Sequence, residues 1–369
     1  MKIQKIETFC TSTVGITRVT TDSGAQGWGQ VSTYHADISS TVLHRQVAPW
    51  ALGMEVEEPA QFDDLIARIF ECEHKFPGSY LCRAVGGLET ALWDMLGKRH
   101  SKTVCELLGG KPRPLRVYAS SMKRNIAPKD EAARFFHLRE ECGYDAFKFR
   151  VGAECGRNQD EWLGRTEAII PAIRQALGDN ATLLADANSC YEPAQAIAVG
   201  RMLEEYGVVH YDEPCPYWRP DWTKQVRKAL TLDVTGGEQD NNLTLWRYLI
   251  DDHVMDVAQP DICYLGGIGR TLHVATLAQA AGIPITPHSA NLSLVTIFTL
   301  HLMGALTNAG PYVEFSIEGE DYYPWQYGIY EPMPIARDGK VEIPTAPGWG
   351  IRIKDDWLQQ AAYQCSEKN

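Results

Sequence analysis

Leu183-Leu184-Ala185-Asp186 is a short apolar run that ends on a carboxylate, and the pattern returns in Val208-Val209-His210-Tyr211-Asp212-Glu213 and in Val234-Thr235-Gly236-Gly237-Glu238. Further on, Asp261, His288 and Glu314 close comparable runs. Subtracting successive numbers spaces the six residues 27, 25, 23, 27 and 26 apart, about one strand-plus-helix unit each. Working outward, strands are expected over 115–120, 146–151, 182–186, 208–213, 233–238, 257–261, 283–288 and 312–315, with amphipathic helices between them. Strands alternating with helices make parallel βα units. Eight of them fit a closed barrel, whose strand ends converge on one mouth. An open doubly wound sheet is the competing fold, but no GxGxxG opens a helix after the first strand, which removes the main sign of dinucleotide binding.

Upstream, residues 1 to about 30 alternate as strands and turn at Asp22-Ser23-Gly24, which reads as an antiparallel hairpin. From about 40 to 107 the apolar spacing becomes helical, most clearly over Ala84 to Lys98. The turn-rich Leu108-Gly109-Gly110-Lys111-Pro112-Arg113-Pro114 marks a boundary. The reading is an α+β capping domain over 1–112, completed by a return segment at about 330–369, and a barrel over 113–329.

Composition narrows the function. The 369 residues carry 35 Lys and Arg against 47 Asp and Glu, without a basic run, so a nucleic-acid surface is not expected. The start has no secretion-signal core and no stretch reaches eighteen uninterrupted apolar residues, so a cytoplasmic protein without membrane contact is expected. Ten scattered cysteines without CxxC pairs suit reduced thiols better than disulfides or a zinc site.

A single Asp or Glu after a strand is ordinarily a helix N-cap. Three on successive strands repel one another in a partly desolvated mouth unless a cation sits among them. Hard oxygen ligands suit Mg²⁺ better than zinc. Asp186, Glu213 and Glu238 are therefore expected to hold one Mg²⁺ per subunit, with Asn188 orienting the first of them or touching substrate. One strand after Glu238 comes Asp261, and one strand later His288. A carboxylate on one ring nitrogen fixes the tautomer and raises proton affinity, which suits a general base. Lys148 and Arg150, two apart on one strand, point to the same side and call for anions.

Taken together these residues resemble the mandelate racemase branch of the enolase superfamily. The similar elements are Ala91-Leu92-Trp93-Asp94 with Gly97-Lys98, Leu107-Leu108-Gly109-Gly110, Lys148-Phe149-Arg150-Val151-Gly152, Asp186-Ala187-Asn188, Asp212-Glu213-Pro214, Gly237-Glu238, Gln259-Pro260-Asp261 with Gly266-Gly267, and Pro287-His288. The resemblance implies a (β/α)₇β modified TIM barrel under an α+β cap, Mg²⁺ on the three acids and a His-Asp dyad, in a homo-oligomer.

Two departures matter. Arg150 stands where the family's KxK motif has its second Lys, and arginine is a poor base. With His288 as the one conventional base, elimination is favoured over racemisation, so dehydration of a sugar acid to a 2-keto-3-deoxy acid is expected. An epimerase or cycloisomerase is the alternative, and a non-catalytic sugar-acid binder a remote one. The first capping loop is also short, about Cys10 to Gly15, leaving Tyr34 to Asp37, Glu154 to Trp162 or Tyr217-Trp218 to close the pocket. In the expected arrangement Lys148 binds the substrate carboxylate, Glu314 donates a hydrogen bond from its protonated form, and Arg150 anchors a hydroxyl or distal carboxylate. Lys123 or Arg124 grips the far end.

Overall fold

The computed structural model describes residues 1–368; Asn369, the last residue of the expected return segment, lies outside them. The chain starts with an antiparallel sheet of β1 (Ile3–Cys10), β2 (Gly15–Thr21) and β3 (Gln26–Val31), to whose free edge the C-terminal strand Ala362–Glu367 adds. The turn after β2 uses Gly24 in the left-handed region, φ 82°. Against this sheet lies the 22-residue helix Ser79–His100, buried almost throughout. The two approach so closely that a Cβ on Gly29 would sit 2.5 Å from the backbone of Gly87 and Ala91. Only glycine admits that contact.

The barrel strands are β4 (Pro114–Ser120), β5 (Ala146–Arg150), β6 (Thr182–Asp186), β7 (Val208–Asp212), β8 (Asp233–Gly236), β9 (Val257–Ala258) and β10 (Val313–Ser316). They pair in parallel in that order, and β10 returns to β4. The expected seventh strand over 283–288 is the exception: it is one bridging residue, Ile285, which pairs with Ala258 on one side and Ala309 on the other. Pro284 and Pro287 flank Ile285 and have no N–H to give, so the ladder cannot extend. Closure is nevertheless kept, because Ile285 donates to the Asn308 carbonyl and accepts from the Gly310 N–H.

The return segment divides. Lys340–Glu342 pairs with β4 of the barrel, whereas Ala362–Glu367 joins the capping sheet. Cap and barrel are locked by polar contacts at buried positions. The Gln30 side chain accepts from the Leu294 N–H and donates to Ser293 Oγ, both at 2.9 Å. Glu89 accepts from the Ile268 and Gly269 N–H groups, donors at the start of the helix Ile268–Ala280 that have no carbonyl within the helix to meet. No helix of the described residues is long and apolar enough to cross a membrane.

Candidate active site at the barrel mouth

Alternation along β5 aims both Lys148 and Arg150 into the barrel. Lys148 is 1% exposed, and its ammonium meets Glu314 at 2.7 Å and Asp186 and Asp212 at 3.2 Å each. Three carboxylates against three N–H donors leave nothing for a ligand. Lys148 is thus a floor cation that offsets part of the charge of the acids around it, not the expected contact to a substrate carboxylate, and it does not line the cavity above. Arg150, one turn of the pleat higher, ion-pairs with Asp186 and donates to Asn188 Oδ1 at 2.8 Å and to the Ser121 carbonyl at 2.7 Å.

The acids leave their strands by defined local geometry. Asp186 ends β6, and its Oδ1 accepts the Asn188 N–H at 2.8 Å, an Asx-type turn with Asn188 left-handed at φ 39°. β7 ends at Asp212, which stays in the barrel interior with Lys148 and Thr235; Glu213 follows at φ 41°, a conformation rare for a non-glycine residue. That turn swings Glu213 toward the mouth. Gly237 does the same for Glu238: at φ 102° its missing Cβ would lie 2.4 Å from the Trp246 ring.

The electrostatics follow from this crowding. Burial opposes the charge on Asp186, yet Arg150 and Lys148 hold its carboxyl well below the usual range. Glu213 has no such cation: burial first, then Glu238, Asp212 and Asp186, push it well above its ordinary value. Glu238 is pushed up to about 7, mainly by burial and then by Asp212 and Asp186. Among the described residues Glu213 Oε1 is buried with no hydrogen-bond partner. An orphaned carboxylate oxygen among acids that repel one another is the environment a hard divalent ion would relieve, so the donor set fits Mg²⁺. Among the described residues no three His, Cys, Asp or Glu side chains are drawn together as a ready-made ligand cluster, because Asp186 is engaged by Arg150 and Glu238 by His288.

On the facing wall, His288 Nδ1 lies 2.8 Å from Asp261 Oδ2, and the other Asp261 oxygen accepts the Tyr264 N–H at 2.8 Å. Nε2 is left toward the cavity, 3.4 Å from Glu238. Burial disfavours the imidazolium, but Glu238, Asp261 and Glu314 outweigh it and raise His288 to about 10. Glu314 differs from expectation. Its oxygens accept from Lys148, Ser120 Oγ and the Ser289 N–H, and against the opposing effect of burial Lys148 and His288 bring it to about 2. It is an anionic acceptor and has no proton to donate.

A cavity of about 750 Å³ lies over these groups. Arg124 lines it, donating to Asn188 Oδ1 at 2.8 Å and the Gly152 carbonyl at 3.2 Å. Lys123 does not: it is drawn to Asp321 at 2.7 Å and Glu318 at 3.8 Å and does not line the cavity. Of the three expected closing elements, Tyr34 and His35 and the loop residue Glu154 reach the cavity, and Tyr217-Trp218 do not. Sequence reasoning missed Arg83, Tyr264, Asn291 and the aromatic run Tyr322, Tyr323 and Trp325 on the loop after β10. Tyr34 of the cap meets Trp325 edge-on at 5.7 Å, so the roof is made across the two domains. The clustering of aromatics just past the last strand end was the available signal; Arg83, inside a helix, had none.

Comparison with known proteins finds relatives that span nearly the whole chain. The family model described as "Mandelate racemase / muconate lactonizing enzyme, N-terminal domain" matches residues 3–109, and "Enolase C-terminal domain-like" matches 130–357. The chain is 26% identical to the arabinonate dehydratase of Saccharolobus solfataricus over 95% of this chain and 90% of that one. It is 29% identical to the D-galactarolactone cycloisomerase of Agrobacterium fabrum over 92% and 88%. Among solved structures, a protein of Roseobacter denitrificans proposed to be a racemase is 58% identical, with a TM-score of 0.98 over the whole of both chains. A mandelate racemase/muconate lactonizing protein of Paracoccus denitrificans, complexed with magnesium, is 26% identical with a TM-score of 0.88 over 98% and 96%.

Proposed function

The chain belongs to the mandelate racemase / muconate lactonizing enzyme family and is an enolase-superfamily enzyme, and from that premise we propose that it removes the proton next to the carboxylate of a sugar acid and eliminates water to give a 2-keto-3-deoxy acid. The observation that carries the proposal is His288. Its Nδ1 is held by Asp261, so Nε2 is the atom that takes the α-proton at the cavity wall once a cation on Glu238 offsets the carboxylate that otherwise keeps the ring protonated. The same Nε2–H is then placed to return that proton to the β-hydroxyl as its C–O bond breaks, so that water leaves and the enol becomes the keto acid. A divalent ion on Asp186, Glu213 and Glu238 would supply positive charge to the substrate carboxylate as the α-carbon loses its proton. Arg150 and Arg124, on the wall fed by β4 to β6, hold substrate oxygens, while Lys148 and Glu314 form a buried ion pair beneath them.

Magnesium is supported by the all-oxygen donor set and by the relative complexed with it. Dehydration is supported by the relatives named as dehydratases and by Arg150, which leaves no second lysine on the far wall. Epimerisation has one observation in its favour: His35 also lines the cavity, giving a second imidazole. A screen of acid sugars with Mg²⁺, read out as 2-keto acid, decides between them. Keto acid that disappears on chelation is expected. Exchange of the α-hydrogen with solvent deuterium but no keto acid transfers the assignment to epimerisation, and neither signal with any acid overturns the proton-abstraction reading.

A further inference from the structure

The cavity has cations at both ends. Arg150 and Arg124 stand over β5 and the loops after β4 and β6, and Arg83 stands over β9 on the opposite side of the ring of strands. Arg83 comes from the cap, in the second turn of the helix Ser79–His100. Its guanidinium lies over the Tyr264 ring, 3.6 Å from the centre, and Tyr264 in turn lies 5.8 Å from the His288 ring. Nε donates to Ser79 Oγ at 2.8 Å and Nη1 to Ser32 Oγ. Those hydroxyls and the ring fix the plane of the group without neutralising it. Among the described residues no carboxylate lies within ion-pairing distance of Arg83, in a chain whose formal charge is −12 and at a mouth crowded with acids.

An arginine whose orientation is set by stacking and whose Nη2 meets no partner among the described residues is prepared for a planar anion. We infer that Arg83 receives a second carboxylate of the substrate, so that the enzyme acts on a dicarboxylic sugar acid, one carboxylate at the cation the mouth acids would hold and the other under the cap. The inference rests on the proton-abstraction reading above and deepens it. Geometry supports the reach: Arg83 lies 3.6 Å from the Tyr264 ring centre and that centre 5.8 Å from the imidazole that takes the proton, a span a short carbon chain can bridge. A mono-acid would place a neutral hydroxyl against a guanidinium that has no other counter-ion.

The test compares each six-carbon diacid with its mono-acid counterpart, galactarate against galactonate among them, with Mg²⁺ and with α-deuterium exchange and keto acid as readouts. The diacid is expected to be preferred, and Arg83→Met to raise its KM by about 10- to 100-fold, the loss of a charge-assisted pair, with kcat changed far less. Arg83→Lys should recover part of the loss, and an unchanged thermal midpoint separates the effect from misfolding. If Arg83→Met does not fold, the wild-type preference still decides. A wild-type enzyme that turns over mono-acids as well as or better than diacids overturns the inference and leaves proton abstraction standing; no exchange with either class overturns both.

Discussion

Two buried histidines sit 13 positions apart in this chain and have opposite chemistry. His288, 8% exposed, is surrounded by Asp261, Glu238 and Glu314, and the three acids raise it to about 10 although burial works the other way. His301, 0% exposed on the helix Leu294–Met303, has only backbone for partners: Nδ1 accepts the Cys105 N–H at 3.1 Å and Nε2 donates to the Trp349 carbonyl at 3.1 Å. With no anion in contact, burial pushes it down to about 4. Burial alone therefore does not assign a role to a histidine. The mouth of the barrel gives the ring acids that strengthen it as a base, whereas the seam between cap, barrel and return segment keeps it neutral and uses both nitrogens as a structural bolt.

Exchanging either residue should separate the two roles. His288→Asn removes the proton carrier, and kcat for the best acid sugar is expected to fall by about 10² to 10⁴ with exchange at the α-carbon lost in parallel. The variant should still fold, because the asparagine amide can still donate to Asp261. Full activity in this variant would break the comparison at its functional end. His301→Leu should do the reverse. It strands the Cys105 N–H and the Trp349 carbonyl in the interior, at a cost of about 2–5 kcal/mol for the pair. A lower denaturation midpoint with normal activity per folded molecule is the expected result, and an unchanged midpoint would show that the seam does not depend on this ring.

The contrast also explains what could be read from the sequence. The spacing of Asp186, Glu213, Glu238, Asp261 and His288 was legible because a barrel repeats its βα unit and delivers each strand end to the same place. What lies across the barrel was not. That Lys148 has its three protons taken by Glu314, Asp186 and Asp212 depends on the distance between strands that are far apart in sequence, and so does the anionic state of Glu314. The absence of a seventh full strand is written in Pro284 and Pro287, which stop a ladder that the apolar run alone would extend. Arg83 and His301 belong to helices whose periodicity reports burial and not the partner met across a domain seam.

The smallest effect is in pH. His301 in the native state is below its unfolded value of 6.5, so the folded protein resists a proton that the unfolded chain accepts. Its contribution to stability is therefore complete above pH 6.5 and is lost as pH falls from 6.5 toward 4, amounting to at most about 3 kcal/mol at 1.36 kcal/mol per unit. His288 has the other sign: raised to about 10, it favours the fold below pH 6.5 and loses that contribution as pH rises toward 10. Urea midpoints measured between pH 7.5 and 4.5 on the wild type and on His301→Leu isolate the first effect, since the leucine variant starts lower but has no ring to protonate there. Its midpoint should fall less steeply than that of the wild type over this range, so that the gap between them narrows with acid. Parallel curves would mean that the proton on His301 is not linked to folding, and that the seam accommodates imidazolium by a rearrangement of Cys105 or Trp349.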